Sequence, residues 1–186
     1  MSPGVIAINP NFNAALRETV EYLDSDAAFA AIAADPYWPK WDGSWWRMTL
    51  LWELGLAEQI PERAVRAMVR GLNEQYLRFF PSSEKDLPPG KDIYRHSACH
   101  CMVGTMFQVL HARGVKVDDE IPWLRGWILK YQLEDGGWNC DNGVTRCASF
   151  VSTLPPAEAI LRCTDRPFTP AEKQCQIGRA SCRERV

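Results

Sequence analysis

Cysteine and histidine side chains form a compact group of potential metal ligands in this sequence. Cys99, His100 and Cys101 are consecutive, Cys140 follows a glycine turn, and Cys147 comes shortly after it. Thiolate and imidazole are ligands that zinc prefers, so these five residues are the candidate metal ligands and zinc is the expected ion. Inert thiols are the alternative, because cysteine is also a common small core residue.

The start of a helix decides whether these residues can share one ion. Residues two apart on an α-helix project about 200° from each other. Cys99 and Cys101 can therefore bind together only where the helix begins after them. His96, Cys99 and His100 have i, i+3 and i+4 spacing, which places them on one face of a helix instead.

Tryptophan is unusually frequent, with eight residues, five of them between positions 38 and 52. Large aromatic side chains either pack in a core or line an apolar or cation-stabilising pocket. Trp45, Trp46 and Phe107 are the candidate ligand-binding residues, as the inner lining of such a pocket. Plain core packing is the alternative for the same side chains.

Composition limits the classes of protein that this sequence fits. Its 186 residues, 46% hydrophobic and 24% charged, suit one globular domain. A net charge of −2 and the absence of a basic run argue against nucleic-acid binding. The N-terminus does not resemble a signal peptide, and no apolar run reaches about 18 residues. We therefore expect a soluble, cytoplasmic protein whose cysteines are thiols or metal ligands.

Helical periodicity dominates, which predicts an all-α fold. Gly55 and Gly114 each end an apolar helix, and Pro61 and Pro122 each open a longer amphipathic one, at almost equal spacing. Such a repeating helix pair is typical of proteins that stack units around a shared core, with the apolar member inside. The predicted helices span 13–23, 27–34, 45–54, 61–80, 97–112, 122–133 and 149–161, with a further helix from 169.

The stretch from Arg125 to Trp138, RGWILKYQLEDGGW, resembles the QW repeat of squalene and hopene cyclases and of the β subunits of protein prenyltransferases. The resemblance covers about residues 36–161 and implies an α/α toroid of repeated helix hairpins. In that family the amide corresponding to Gln132 stacks on the ring corresponding to Trp138 and ties adjacent repeats together. The resemblance also implies an apolar or isoprenoid-like ligand in a central cavity, and allows zinc beside it.

The catalytic motifs of these families are not reproduced here. The acidic D-x-D-D cluster of squalene-hopene cyclases is absent. Cys147 matches the zinc cysteine of prenyltransferases, but Thr145 stands at the aspartate position and Ser97 at the histidine position. No catalytic residue is therefore assigned, and a non-catalytic helical-repeat scaffold that binds a peptide or protein is the alternative function.

Residues 176–186, QIGRASCRERV, resemble the translation of a sequencing-library adapter. We therefore expect residues 1–175 to be a single, truncated toroid domain, and Cys182 to be non-native.

Overall fold

A computed structural model describes residues 10–81, 83–141 and 145–174. Within these ranges every regular element is a helix, which confirms the predicted all-α class, and an isolated bridge pairs Leu77 with Ser97. The segment expected to derive from an adapter lies outside the described residues. The helices are α1 (Pro10–Leu23), α2 (Asp26–Ala34), α3 (Ser44–Glu53), α4 (Glu62–Gln75), α5 (Ile93–His96), α6 (His100–Ala112), α7 (Val117–Glu120), α8 (Leu124–Lys130), α9 (Phe150–Arg162) and α10 (Pro170–Gln174).

Helix α6 is the centre of the described core. It packs against α3 and α9, and most of its side chains are buried. The approach to α9 is so close that a Cβ atom on Gly104 would lie 2.4 Å from the backbone nitrogen of Pro156. Helices α3, α6 and α9 are thus neighbours through α6, while their arrangement as repeats of a toroid stays a prediction. No helix in the described ranges is long and apolar enough to cross a membrane.

The two predicted glycine stops have the same geometry. Gly55 and Gly114 adopt φ values of +72° and +82°, which favour glycine. After each glycine, the next amide donates back to a carbonyl of the last helical turn, from Leu56 to Leu51 at 2.8 Å and from Val115 to Leu110 at 3.0 Å. Both α3 and α6 therefore end in a Schellman motif, as the repeat in the sequence indicates.

Helix α6 begins later than predicted. The Asp92 carboxylate caps the separate short helix α5, accepting from the backbone amides of Tyr94 and Arg95. The chain is then extended, because the Leu77 amide donates to the His96 carbonyl at 2.8 Å. Cys99, with φ −106° and ψ 134°, is the N-cap of α6. The predicted N-cap at Ser97 is therefore wrong by two residues.

Other predicted boundaries also shift for local reasons. Helix α4 ends at Gln75, five residues short of the prediction, because Tyr76 turns into the extended segment that pairs with α5. Helix α9 continues through Pro155 and Pro156, and its first turn is capped by the Ser149 hydroxyl. The Pro155 carbonyl accepts a hydrogen bond from the buried Gln108 side chain at 3.1 Å.

The predicted glycine turn forms the corner between α8 and α9. Gly136 has a φ of +91°, and the Asp135 carboxylate accepts from the Gly137 and Ala148 amides. Trp138 is fully buried. Its indole donates to the Ile128 carbonyl of α8 at 2.8 Å, and its amide donates to the Thr153 hydroxyl of α9 at 3.0 Å.

Trp138 thus joins consecutive helices at this corner. The Gln132 amide donates to the Gly136 carbonyl at 2.7 Å, within the same turn. Stacking of the Gln132 side-chain amide on the Trp138 ring stays a prediction.

Candidate metal centre

Three cysteine sulfurs converge at the start of α6. The Sγ atoms of Cys99, Cys101 and Cys140 all lie within 4.8 Å of one another. Cys101 is the shared neighbour, with its sulfur 3.0 Å from that of Cys99 and 3.7 Å from that of Cys140. All three side chains are partly exposed. Among the described residues, this is the one cluster of three or more cysteine, histidine or acidic ligands close enough to share an ion.

The position of the helix start explains how two cysteines so close in sequence can meet. Cys99 is the extended N-cap, whereas Cys101 lies in the first turn of α6. The divergence of about 200° expected on a continuous helix therefore does not apply to this pair. The expectation that the helix must begin after both cysteines is wrong, because a start at His100, between them, already brings their sulfurs to 3.0 Å. Both thiols can turn to the same side of the helix terminus.

Cys140 reaches the cluster from the corner that follows Trp138. Its amide donates to the Ser152 hydroxyl at 3.2 Å, which attaches it to the first turn of α9. The Cys101 amide approaches the Cys140 sulfur at 3.5 Å. The starts of α6 and α9 are therefore both in contact with Cys140.

The sulfur spacing fits a thiolate-bound metal. Tetrahedral zinc has Zn–S distances of about 2.3 Å, which places two sulfur ligands about 3.8 Å apart. The separation of 3.7 Å between Cys101 and Cys140 matches this geometry. The separation of 3.0 Å between Cys99 and Cys101 requires an opening of roughly 0.8 Å to reach it. Rotation of the two side chains can provide a movement of that size.

His100 lies beside the cluster, but its ring nitrogens are outside the group of mutually close ligand atoms. The side chain is 2% exposed and its ring stacks on Trp127, with centroids 4.6 Å apart. Its Nδ1 is 3.1 Å from the Asn139 carbonyl, whereas Nε2 is buried without a hydrogen-bond partner. A proton on Nδ1 fits that carbonyl contact, which leaves a lone pair on Nε2.

Cys147 is not brought into the cluster. Its side chain is exposed, and its carbonyl accepts a hydrogen bond from the Asn139 side chain at 2.9 Å. The structure thus unites three of the five predicted ligands, leaves His100 adjacent and places Cys147 on the surface.

Hydrogen bonds among the thiols shift their pKa values in opposite directions. Side-chain hydrogen bonding with Cys101, and then with Cys99, lowers the pKa of Cys140 far below that of an ordinary thiol, although partial burial opposes the shift. The corresponding hydrogen bonds to Cys101 and Cys140 raise the pKa of Cys99. The three thiols therefore interact strongly with one another, and a cation bound as a thiolate complex would displace their protons.

Tyr37 is a neighbour of the cluster that the sequence analysis missed. Burial raises the pKa of Tyr37, and the nearby Cys101, Cys99 and Cys140 raise it further. On its other side, the Tyr37 ring lies 5.1 Å from that of Trp45 and 5.6 Å from that of Trp46. In the sequence, the position of Tyr37 directly before Trp38, at the start of the aromatic loop, is the feature that could have indicated its involvement.

The three predicted ligand-binding residues occupy different surroundings. Trp45 is 4% exposed and packs edge-on against Trp46. Trp46 lines a surface cavity of about 290 Å³ together with Trp41. Phe107 is buried and lines a separate cavity of about 470 Å³ near the C-terminal end of α6. The two tryptophans therefore pack on Tyr37, whereas Phe107 borders a different cavity.

A second group of charged residues, also not predicted, attaches α10 to the core. The buried Arg125 side chain contacts Asp118 at 2.6 Å and Glu172 at 3.2 Å. It also donates to the Thr164 hydroxyl and to the Cys163 carbonyl. These contacts occupy the guanidinium, so the group is structural. The sequence pattern T-x-x-E ending at Glu172, typical of a capped helix start, was the available signal.

Comparisons with models of known protein families, with curated proteins and with solved structures found no match to this chain. The thiol cluster and its surroundings are therefore the basis for assigning a function.

Proposed function

We propose that this protein is a zinc-binding helical-repeat protein in which Cys99, Cys101 and Cys140 hold the ion as thiolates. The observation that supports the proposal is the convergence of three sulfurs, within 4.8 Å, from two segments 39 residues apart. Zinc favours thiolate ligands, whereas magnesium and calcium require oxygen ligands that the three cysteines do not offer.

The surroundings of the cluster favour a metal site over inert thiols. Cys163 has the surroundings of an inert core cysteine, because it is buried and belongs to the apolar core. The three clustered thiols are instead partly exposed and in mutual contact. Three thiolates leave one position of a tetrahedral zinc free, which is the arrangement of a site that accepts a further ligand.

A small apolar or isoprenoid-like molecule is the ligand that we propose for the space beside the ion. Tyr37, Trp45 and Trp46 form an aromatic cluster, and the three cysteines act electrostatically on Tyr37. Helices α3 and α9 also carry large apolar side chains that are exposed, among them Leu50, Phe150 and Val151. In a toroid of the kind that the sequence resembles, the inner helices would turn such side chains toward a central cavity.

Elemental analysis of the purified, reduced protein tests the metal site. We expect about one zinc per chain, lost in both Cys101→Ser and Cys140→Ser because two sulfurs cannot retain the ion. Cys147→Ser is the matched control, since this exposed cysteine lies outside the cluster, and it should keep the zinc. Absence of zinc from the wild type, or its retention in both cluster variants, would contradict the proposal.

Thermal unfolding with farnesyl diphosphate or farnesol tests the apolar ligand. Binding to the folded state alone raises the melting temperature, by an amount that grows with ligand concentration. We expect that rise in the zinc-loaded wild type and a smaller one in Trp46→Ala. No zinc and no rise would favour a helical-repeat scaffold that binds a peptide or protein.

A further inference from the structure

We propose that the thiol cluster is also a redox switch, in which a hydroperoxide converts Cys101 and Cys140 to a disulfide and releases the ion. The release step rests on the proposed zinc site. The disulfide step depends only on the arrangement of the three cysteines.

Cys101 is the sulfur best placed to change partners. It contacts both other thiols, and its backbone amide also approaches the Cys140 sulfur, at 3.5 Å. Hydrogen bonds from Cys140 to Ser152 and from Trp138 to Thr153 fix the corner segment against α9, which itself packs on α6. The two sulfurs are thus held within reach of each other by contacts that involve neither thiol.

Cys140 is the better partner for Cys101 because it lies outside a helix. Cys99 and Cys101 flank the first residue of α6, so a bond between them would close across the first turn of that helix. Cys140 lies in the non-helical corner after Trp138, where its side chain can turn without disturbing a helix. Cys99 would remain as a free thiol, and reversal of the disulfide requires an external dithiol reductant, which takes up the two electrons' worth of oxidation as its own disulfide.

Two properties distinguish the clustered cysteines from the other described cysteines: partial exposure to solvent and a neighbouring thiol. The clustered thiols are partly exposed, so a small hydroperoxide can reach them. Cys147 is more exposed but lies outside the cluster, and Cys163 is buried. The sulfenic acid of a solitary thiol is open to further oxidation to the sulfinic acid, whereas a neighbouring thiol condenses with it to a disulfide.

The chemistry balances with hydrogen peroxide as the oxidant. One thiolate attacks the peroxide, breaks its O–O bond, becomes a sulfenic acid and releases hydroxide. The second thiolate then attacks that sulfur, forms the S–S bond and displaces a second hydroxide. Two thiolates are oxidised and one peroxide is reduced, and the single remaining thiolate is too few to hold zinc, which leaves as the hydrated ion.

The zinc-bound form and the disulfide form each connect the start of α6 to the Trp138 corner, the first through the metal and the second through the S–S bond. In the reduced protein without zinc, only weaker contacts connect these segments, such as that between His100 Nδ1 and the Asn139 carbonyl at 3.1 Å. We therefore expect that form to have the lowest melting temperature of the three, since metal binding and cross-linking each stabilise the folded chain.

Titration of the zinc-loaded full chain with hydrogen peroxide tests the switch. A chromogenic chelator reports released zinc, and peptide mass spectrometry identifies the disulfide. We expect about one zinc released per equivalent of peroxide, a Cys101–Cys140 disulfide, and recovery of zinc binding after reduction. Cys147→Ser should respond like the wild type.

The outcomes separate this inference from the proposed zinc site. Zinc that binds and stays bound without a Cys101–Cys140 disulfide would overturn the switch and leave the zinc site intact. A Cys99–Cys101 disulfide would also overturn it. A protein that never binds zinc would contradict the zinc site and the release step, and mapping of the same oxidised sample would still decide the disulfide step.

Discussion

Glu172 illustrates how one buried carboxylate attaches a short helix to the protein. Its side chain is 1% exposed and contacts Arg166 at 2.8 Å and Arg125 at 3.2 Å. The amide of Thr169 also donates to it at 2.7 Å. Mainly through Arg166, these contacts lower the pKa of Glu172 from 4.5 to about 2.

This lowered pKa predicts that the free energy of unfolding decreases on acidification within a defined pH range. Between pH 4.5 and about 2 the unfolded chain binds a proton at Glu172 that the folded chain does not. The contribution of Glu172 to the free energy of unfolding is therefore fully present above about pH 4.5 and lost as the pH falls toward 2. In Glu172→Gln, we expect lower stability at pH 7 and a shallower loss on acidification, as measured by urea unfolding across that range.

Glu158→Gln is the matched control for this prediction. Glu158 is a more exposed carboxylate of α9 that pairs with Arg162 at 3.6 Å, and exposed ion pairs contribute little. Its replacement should leave the pH dependence almost unchanged. Identical acid profiles for Glu172→Gln and the wild type would contradict the assigned role of Glu172.

Residue types alone identified the thiol cluster but could not select its members. Two cysteines around a helix start and one after a glycine turn were predicted ligands, and the structure unites them. His100 and Cys147 have equally suitable chemistry. The direction of the side chain distinguishes these two residues from the three clustered cysteines. His100 packs against the rings of Phe80, Trp127 and Tyr131, and Cys147 faces solvent.

At the scale of elements, the contact between α6 and α9 depends on a single glycine. A Cβ atom on Gly104 would lie 2.4 Å from the Pro156 nitrogen and 2.5 Å from the Pro155 carbonyl carbon. Both are backbone atoms, so they cannot move aside as a side chain does. Gly104→Ala should therefore force the two helices apart.

We expect Gly104→Ala to lower the free energy of unfolding by about 1–3 kcal/mol, the usual cost of overpacking a core. Gly126→Ala is the matched control, because Gly126 is exposed in α8 and a Cβ atom there would meet nothing within 4 Å. Better helix propensity should make that variant more stable, by up to about 1 kcal/mol. Chemical denaturation measures both, and a Gly104→Ala protein as stable as the wild type would exclude the close contact.

Element boundaries were predictable where local signals decide them. The glycines that end α3 and α6 were correctly placed, because only the residues at those positions determine the turn. The start of α6 was not, because it depends on the bridge between Leu77 and Ser97. That pairing joins segments that are distant in sequence and carry no alternating strand pattern.

At the scale of the whole molecule, the site lies at one end of the most buried of the described helices. Helix α6 contacts both α3 and α9, and the thiols meet where α6 and α9 begin. The all-α class followed from helical periodicity in the sequence. Closure of a toroid depends on contacts between distant units, so it stays a prediction, as do the isoprenoid-like ligand and the cytoplasmic location.

X-ray absorption at the zinc edge of the metal-loaded protein tests the central claim most directly. Three thiolate ligands predict a first shell of three sulfur atoms at about 2.3 Å and one lighter atom at about 2.0–2.2 Å. The Cys147→Ser variant should give the same spectrum. A first shell of nitrogen and oxygen alone, or one with fewer than three sulfurs, would contradict the assignment of Cys99, Cys101 and Cys140 as the metal ligands.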